Sequence, residues 1–290
     1  MRFVTYQHTG MPAPGLALRT ATGLRALDGS TGPHVPSDLL ALIKAGPAAL
    51  REAAKLIEQH GRPLASAASE YLPPVLSPGK IICVGLNYLD HTKESKFEQP
   101  AYPTVFLRVA SSFVGHEQAI IRPSCSSQFD YEGEMVAFIG QRGRHIPKER
   151  ALDHVIGYSV ANEGSVRDYQ FKSPQWTVGK NFDRSGSIGP AFVSTDEVPA
   201  GGAGLKIQTR VNGETVQSAN TSEMVFDLAT VISLISEAMV LEPGDVILTG
   251  TPEGVGLARK PQLFLKGGDL VEVEVEGIGL LRNRVAEEAK

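Results

Sequence analysis

The alternation of apolar and polar residues predicts two kinds of structure in the first sixty residues. Met1 to His8 and Gly15 to Ala26 alternate with a period of about two and are separated by a Gly/Pro-rich turn, which predicts short strands. Apolar residues then recur at helical spacing in Leu39 to Ile43 and in Ala48 to His60, and Gly61 provides a stop. We therefore expect a small α/β unit with two short helices.

Beyond a proline-rich stretch at 72–79, strand patterns punctuated by glycines predominate. Met224 to Met239 is the one long amphipathic helix that the pattern predicts. Continuous apolar runs predict buried strands at Ile81–Gly85, Met135–Ile139 and Val246–Thr249. The pattern predicts a boundary at the proline-rich stretch, with residues 1–75 as a small N-terminal domain and residues 78–290 as a larger, mostly β domain.

Composition narrows the class of protein. The 290 residues carry a net charge of −4 with no basic block, which argues against nucleic acid or an anionic membrane surface as a partner. No apolar run reaches membrane-spanning length and the N-terminus lacks a signal-peptide layout, so we expect a cytoplasmic protein. Two cysteines, Cys83 and Cys125, form neither a disulfide framework nor a zinc site, and we expect both to be small buried residues in a reducing compartment.

An acidic stretch directly precedes one of the buried strands. Asp130, Glu132 and Glu134 alternate with other residues, so an extended chain places them on one face, just before Met135–Ile139. Carboxylates that enter an apolar core repel one another and resist desolvation unless a cation binds them. Oxygen ligands of this kind suit Mg²⁺, Mn²⁺ or Ca²⁺. A solvated acidic edge strand is the alternative that this stretch alone leaves open.

Two further segments carry residues suited to acid–base chemistry or anion binding. If a short helix or lid runs from Asn87 to Phe97, His91 and Glu94 share a face, and a carboxylate raises the basicity of an imidazole that activates water. An ordinary surface pair is the alternative. Glu163 ends another apolar strand, with Arg167 and Gln170 following at helical spacing, as expected for residues that meet an anionic substrate.

Two glycine-flanked positions complete the set of candidates. Lys180 follows Gly179 without any Walker pattern before it, so the choice lies between a site lysine and a surface lysine. Thr249 to Gly256 is a glycine-rich loop directly after a buried strand, and its backbone N–H groups are suited to hold a carboxylate.

Together these segments form an ordered series that resembles the fumarylacetoacetate hydrolase (FAH) family over about Lys80 to Val285. The series is Gly-Leu-Asn-Tyr…His-x-x-Glu, Phe-Leu-Arg…Ser-Ser, Asp-Tyr-Glu-Gly-Glu, Asn-Glu-x-Ser-x-Arg-Asp-x-Gln, Gly-Lys-Asn-Phe-Asp and Thr-Gly-Thr-Pro-x-Gly-Val-Gly. The resemblance implies an α+β, mostly β fold in which a mixed β-sandwich roll follows the small N-terminal domain. It also implies a homodimer.

The resemblance assigns roles to individual residues. It implies that Glu132, Glu134 and Glu163 bind Mg²⁺ or Mn²⁺, with Ca²⁺ as a further candidate, and that Asp130 contacts these ligands or their waters. The catalytic residues that it implies are His91, Glu94 and Lys180. The substrate-binding residues that it implies are Arg108, Arg167, Gln170 and Thr251.

Two positions depart from the family pattern. Glu163 stands where relatives more often have Asp, and the longer side chain can still reach an ion while altering the geometry of the site. Arg108 follows Phe-Leu where many relatives have Lys-Pro. A guanidinium there can hold a distal carboxylate of the substrate with two hydrogen bonds, and a structural ion pair is the equal alternative.

The resemblance implies a metal-dependent hydrolase that cleaves a C–C bond in acylpyruvate-type 2,4-dioxo acids, such as fumarylpyruvate, and releases pyruvate through a metal-bound enolate. Water activated by His91 and Glu94 would attack the substrate. The alternative is an isomerase or decarboxylase acting on a hydroxydienedioate or oxaloacetate, or another 2-oxo acid lyase or tautomerase of aromatic or sugar-acid catabolism. A catalytically silent metal-binding protein is disfavoured, since neither the dyad nor the carboxylates are lost. The expected partner is a small 2-oxo acid.

Overall fold

The computed structural model describes residues 1–8, 10–27, 36, 38–64, 69–88 and 101–289. Strand accounts for 38% and helix for 23%, which confirms the predicted mostly β class. The strands are β1 Arg2–His8, β2 Gly15–Thr20, β3 Gly23–Ala26, β4 Arg62–Pro63, β5 Ser69–Tyr71, β6 Ile81–Gly85, β7 Thr104–Arg108, β8 Phe113–Val114, β9 Ile120–Arg122, β10 Phe129–Asp130, β11 Gly133–Ile139, β12 Val155–Asn162, β13 Ser165–Val166, β14 Gly186–Ser194, β15 Lys206–Val211, β16 Glu214–Asn220, β17 Val246–Leu248, β18 Leu270–Val275 and β19 Gly279–Glu287.

Helices are shorter and fewer among these residues. The α-helices are α1 Leu39–Ala45, α2 Pro47–His60, α3 Arg167–Gln170, α4 Thr177–Lys180 and α5 Leu228–Ala238. Short 3₁₀ segments lie at Ala110–Ser112, Lys148–His154, Thr195–Glu197, Ala200–Gly202 and Thr221–Glu223. No helix in the described ranges is long and apolar enough to cross a membrane.

A twelve-stranded mixed sheet forms the centre of the molecule. Its strands run in the order β4-β3-β2-β1-β14-β12-β11-β17-β6-β7, with β5 paired to β1 and β8 to β14. The central strand β11 is buried along its whole length. Met135, Ala137 and Ile139 pack into one apolar cluster, and Val136 and Phe138 into another. Because both faces are covered, the strand has a continuous apolar sequence rather than an alternating one.

A five-stranded sheet, in the order β16-β15-β18-β19-β9, packs on one of these two clusters together with α5. In β18 buried positions alternate with more exposed ones, as expected for a strand with one covered face. A third, two-stranded sheet joins β10 to β13. This short pair places the acidic stretch beside the end of β12.

The N-terminal strands continue the large sheet, because β1 pairs antiparallel with β14. Helices α1 and α2 cover the second apolar cluster with Leu39, Ile43 and Ile57 among others. Asp38 caps α1 by accepting a hydrogen bond from the backbone N–H of Leu40 at 3.0 Å. Both helices agree with the predicted segments. The division into residues 1–75 and 78–290 stays a prediction, and the sheet itself runs across it.

Three expectations about local structure differ from the structure or concern residues outside the described ranges. The helix predicted from Met224 begins only at Leu228, because the side chain of Asp227 caps it by accepting from the Thr230 N–H at 2.8 Å. Cys83 is buried as expected, whereas Cys125 is exposed, so its predicted burial was wrong. Of the helix or lid predicted at Asn87–Phe97, only the first two residues lie within the described ranges.

Candidate metal centre and active site

Three carboxylates meet where β11 begins and β12 ends. β11 and β12 run antiparallel with Gly133 opposite Asn162, and the backbone N–H of Glu163 donates to the carbonyl oxygen of Glu132 at 2.8 Å. This register brings Glu163 beside the acidic stretch. Ligand oxygens of Glu132, Glu134 and Glu163 all lie within 4.8 Å of one another, on side chains of residues that are 4% exposed or less.

The carboxylates are only partly compensated by protein cations. The Lys180 ammonium donates to Glu132 at 2.7 Å and to Glu163 at 2.8 Å, and Arg167 forms an ion pair with Glu132. Glu134 accepts from the Gly250 N–H at 2.7 Å. One oxygen of Glu163, Oε1, has no hydrogen-bond partner although it is buried. A buried acceptor without a donor is costly, so the site has room for a further cation.

Electrostatics favour the same conclusion. Burial raises the pKa of Glu134 well above its usual value, and the charges of Glu163 and Glu132 raise it further. Burial also raises the pKa of Glu163, with Lys180 opposing this effect. Both shifts show that burial disfavours the charged carboxylates, and a bound cation would oppose this effect. Three carboxylates and no nitrogen or sulfur ligand fit a hard divalent cation such as Mg²⁺ or Mn²⁺.

Asp130 contacts protein donors rather than the other acids. Its carboxylate accepts from the backbone N–H groups of Tyr131, Gly256 and Leu257 at 2.7–2.9 Å, and from Arg167 Nε at 2.8 Å. Asp130 thus connects the glycine-rich loop to the arginine that also pairs with Glu132. In this structure its contact with the ligand set runs through Arg167.

The glycine-rich loop holds carboxylates, as its sequence suggested, and these carboxylates belong to the protein itself. The N–H of Gly250 binds Glu134 and the N–H of Gly256 binds Asp130. Gly250 has a φ of +99°, and a Cβ there would lie 2.7 Å from the side chain of Asn87, so only glycine fits without rearrangement. Between them, Thr251 donates to the Gly133 carbonyl at 3.0 Å.

Lys180 is buried, at 2% exposure, and ends the short helix α4 rather than lying in a surface loop. Burial by itself would lower the pKa of its amine, but the charges of Glu132 and Glu163 outweigh that effect and raise the pKa. Gly179 permits this position, because a Cβ there would collide with the backbone of Gln170 on α3. The lysine therefore stays protonated against the carboxylates.

Arg167 and Gln170 lie on α3, one turn apart at its two ends, and contact each other through Arg167 Nη1 and Gln170 Oε1 at 2.9 Å. Arg167 is buried, and its Nη2 atom has no hydrogen-bond partner. Burial opposes its charge, but Glu132 and Asp130 raise the pKa of the guanidinium above its usual value. The guanidinium therefore stays charged, and one of its donor nitrogens makes no hydrogen bond within the protein.

Arg108 lies behind Glu163 and outside the lining of the cavity. Its guanidinium donates to the Gly164 carbonyl at 3.2 Å and to the Ser185 hydroxyl at 2.9 Å, and it stacks over the Phe113 ring at 4.2 Å. Its nearest approach to Glu163 is 3.9 Å. These contacts are the ones expected if Arg108 has a structural role. A substrate contact for Arg108 stays a prediction.

A cavity of about 290 Å³ opens onto the carboxylates. Seven of its lining residues form what we call the floor, each at most 4% exposed: Glu132, Glu134, Glu163, Arg167, Gln170, Lys180 and Thr251. Phe171, Trp176 and Leu257, which are partly or largely exposed, form what we call the rim. Thus the structure brings together seven of the ten predicted site residues. His91 and Glu94 lie outside the described residues.

The rim was not predicted from the sequence. Phe171 directly follows Gln170, and Trp176 precedes Lys180 by one helical turn, but neither residue belongs to a pattern that indicates a site. One signal was present: Gly85 ends a buried strand, and a Cβ there would lie 2.5 Å from the Trp176 ring. A glycine at that point leaves space for a large side chain.

Known proteins resemble this chain over most of its length. The fumarylacetoacetate (FAA) hydrolase C-terminal family matches residues 80–286. Oxaloacetate tautomerase FAHD2A, mitochondrial, of Homo sapiens is 40% identical over 292 residues, which is 98% of this chain and 91% of the relative. Similar solved structures include a fumarylacetoacetate hydrolase from psychrophilic Exiguobacterium antarcticum (TM-score 0.86, 35% identity, 99% of this chain and 100% of that chain). Another is maleylpyruvate hydrolase from Sphingobium sp. SYK-6 (TM-score 0.81, 26% identity, covering 99% of this chain and 100% of that chain).

These matches bear on the fold and the class of protein. Relatives that act as tautomerases and hydrolases share one fold with this chain, and the buried triple-carboxylate group lies inside the matched residues. The chain belongs to the fumarylacetoacetate hydrolase family of enzymes.

Proposed function

We propose that this chain is a divalent-metal-dependent enzyme that enolises 2-oxo acids, with keto–enol tautomerisation of oxaloacetate as its main activity. One observation carries the proposal: the ammonium of Lys180 is held between two of three buried carboxylates on the floor of the cavity. The name of the 40% identical human relative supports the choice of oxaloacetate.

Glu132, Glu134 and Glu163 would hold Mg²⁺ or Mn²⁺. When bound, the cation would polarise the 2-oxo group of the substrate and stabilise the negative charge that develops there. Arg167 lines the same cavity, and its charged guanidinium would bind a carboxylate of the substrate. Gln170 and Thr251 add amide and hydroxyl groups to the floor.

Tautomerisation needs one proton to reach C3 and one to leave the enol hydroxyl. Lys180 stays protonated because its neighbouring carboxylates raise its pKa, so its Nζ would deliver the proton to C3. The proton from the enol hydroxyl then passes to Lys180 or to solvent, so the substrate gains one proton and loses one. The buried position of the lysine keeps bulk water away from this exchange.

The test follows the loss of the ultraviolet absorbance of oxaloacetate enol with EDTA-stripped protein and after Mg²⁺ or Mn²⁺ is restored. We expect metal-dependent acceleration, and a loss of about 10²-fold or more in Lys180→Met, which keeps length but removes the charge. Calorimetry should show that Lys180→Met still binds metal. Acceleration that EDTA leaves unchanged, or no acceleration over buffer, would contradict the proposal.

Hydrolysis of an acylpyruvate is the second candidate. The likeness to maleylpyruvate hydrolase favours it, as does the His91 and Glu94 pair in the sequence. Pyruvate release from acetylpyruvate and fumarylpyruvate should then exceed release from oxaloacetate. His91→Ala should slow that hydrolysis severely while metal stays bound. An unchanged rate in His91→Ala would dismiss the dyad.

A cytoplasmic location and a homodimer remain predictions from the sequence. The human relative is named a mitochondrial protein. Gel filtration with light scattering would test the dimer.

A further inference from the structure

The floor and the rim of the cavity differ in charge as well as in burial. The floor contains the charged groups of the cavity lining that the structure describes, and its two cations, Arg167 and Lys180, are both buried. The rim of Phe171, Trp176 and Leu257 contributes no charge. A ligand whose polar head lies on the floor would therefore pass apolar side chains before it reaches solvent.

We propose that the rim is a binding subsite for an apolar group attached beyond C3 of a 2-oxo acid, and that Trp176 determines this specificity. The proposal rests on the enolisation of 2-oxo acids proposed above and deepens it by naming a substrate class. Substrates with an aryl or alkyl tail are expected to use the subsite, whereas a tail that ends in a carboxylate meets no cation among the rim residues that the structure describes.

The position of Trp176 relative to the floor supports this assignment. Trp176 and Lys180 are four residues apart at the two ends of one helical turn, and the Lys180 N–H donates to the Trp176 carbonyl at 3.2 Å. Such residues lie on the same side of a helix, about 6 Å apart along its axis. An indole at that spacing meets atoms one or two carbons beyond those that Lys180 reaches.

The ring is held in place by two neighbours. Gly85 has no side chain where the Trp176 ring lies, since a Cβ there would be only 2.5 Å from it. The Phe106 ring contacts Trp176 edge to face, with centroids 5.6 Å apart, and the same ring lies 5.1 Å from Lys180 Nζ. The wall of the subsite is therefore preorganised and shares a support with the lysine.

Phe171 is the second aromatic residue of the rim, and its exposure rather than its packing is informative. It is 48% exposed although it lines the cavity, and it directly follows Gln170 of the floor. A large exposed aromatic side chain at a cavity mouth is a candidate contact for a ligand. The cavity volume of about 290 Å³ lies just below the range of about 300–1,000 Å³ for small-molecule pockets.

The test compares two ligands that differ only by a phenyl group, 2-oxobutanoate and 4-phenyl-2-oxobutanoate, on the Mg²⁺-loaded full chain. Calorimetry should show that the phenyl compound binds about tenfold more tightly or better, as expected for burial of an apolar ring. Because the chain contains one tryptophan, its fluorescence reports on Trp176 alone. The phenyl compound should shift this emission and 2-oxobutanoate should leave it nearly unchanged.

Variants separate a ligand contact from a structural role. Trp176→Ala should reduce the affinity ratio of the two ligands to about threefold or less, while the affinity for 2-oxobutanoate stays within about twofold. Trp176→Phe should retain an intermediate ratio. Val178→Ala is the matched control, since Val178 is 61% exposed on the same helix and lies outside the cavity lining. It should leave both affinities unchanged.

Equal affinity of the two ligands for the unmodified protein would overturn the subsite. An unchanged ratio in Trp176→Ala, or an equal loss of both affinities, would also overturn it, the latter by showing a structural role. Failure of both ligands to bind would remove the floor as a head-binding site, and the subsite with it. If discrimination persists while oxaloacetate enol is not consumed, only the proposed tautomerase activity fails.

Discussion

Two neighbouring regions along β11 are equally buried but have opposite surroundings. Val136 and Phe138 pack against apolar side chains of the N-terminal helices and strands, with the Phe138 ring 5.4 Å from the Phe192 ring. At the start of the same strand, Glu132 and Glu134 are surrounded by one other acid, Glu163, by two cations and by a backbone amide. The apolar region gains about 25 cal/mol for each Å² removed from water, whereas the acidic region pays desolvation that its ion pairs only partly offset.

The difference indicates what each region is for. Packing alone explains the burial of Val136 and Phe138, so their contribution is to stability. It does not explain carboxylates with raised pKa values, or a buried Glu163 oxygen that lacks a hydrogen bond, because apolar residues of similar size would fold at lower cost. Residues that reduce stability without a packing reason mark the functional site. The two regions should accordingly respond to different substitutions.

The largest expected effect is on activity. Glu132→Gln preserves shape but removes one charge from the group that holds the cation and Lys180, so turnover of oxaloacetate enol should fall about 10³-fold or more and Mg²⁺ affinity should weaken. Exposed Glu149 offers the control Glu149→Gln, which should leave both unchanged. Near-normal turnover with undiminished metal affinity would remove Glu132 from the site.

The second effect is on stability. Phe138→Ala leaves a cavity in the apolar cluster and should lower the free energy of unfolding by about 3–5 kcal/mol, measured by urea denaturation. Metal affinity per folded molecule should change little, because no acid or cation of the floor belongs to that cluster. If Phe138→Ala weakens metal binding as much as Glu132→Gln does, the two regions are not separable.

A third prediction concerns His116, a partly buried histidine whose Nε2 atom lies 3.7 Å from a carboxylate oxygen of Glu117. Burial lowers the pKa of His116 from its usual 6.5 to about 4, against an opposing effect of Glu117. Between these values the native state keeps His116 neutral while the unfolded chain binds a proton, so stability falls as pH falls from about 6.5 to about 4. The loss should be at most about 3 kcal/mol.

The contribution of His116 is the difference between the wild type and His116→Gln in urea denaturation at pH 7, 5.5 and 4.5. The variant should show a flatter dependence on pH than the wild type. Identical pH profiles would show that the carboxylates alone set the acid sensitivity.

The smallest effect is expected at Glu163. Glu163→Asp introduces the residue that the family resemblance leads us to expect and shortens the reach by one methylene, so Mg²⁺ affinity should stay within about tenfold or improve. Isothermal calorimetry of the metal-stripped protein measures this. Complete loss of metal would mean that the site depends on the longer side chain and on its 2.8 Å contact with Lys180.

The sequence was most informative where chemistry and periodicity coincide. The alternating acids before an apolar run indicated either a buried cation-binding group or a solvated edge strand, and the structure shows that they are buried. The apolar spacing in 39–43 and 48–60 predicted α1 and α2. The helix at Met224 was predicted to begin four residues too early, because apolar spacing continues through a segment that Asp227 excludes by capping the helix. Local periodicity does not show which polar residue provides the cap.

Contacts between residues far apart in the chain could not be predicted from the sequence in the same way. The choice for Lys180 between a site and a surface position depends on Glu132 and Glu163, and the surroundings of Arg108 depend on Ser185 and Gly164. Cys125 was expected to be buried because it lies near apolar residues in sequence, yet it is exposed. Proximity in sequence does not decide which side of a loop faces solvent.

The sequence by itself determined the family, the strand-rich class and the identity of the acids, since these depend on residue type and spacing. Only the tertiary structure decided which partners neutralise them: the register of β11 against β12 places Glu163 beside Glu132, and Gly179 lets α4 bring Lys180 against both. It also placed Trp176 over Gly85 and created the rim. Charge compensation and cavity shape depend on distances of a few ångströms between segments far apart in the chain, and those distances exist only after the sheets have packed.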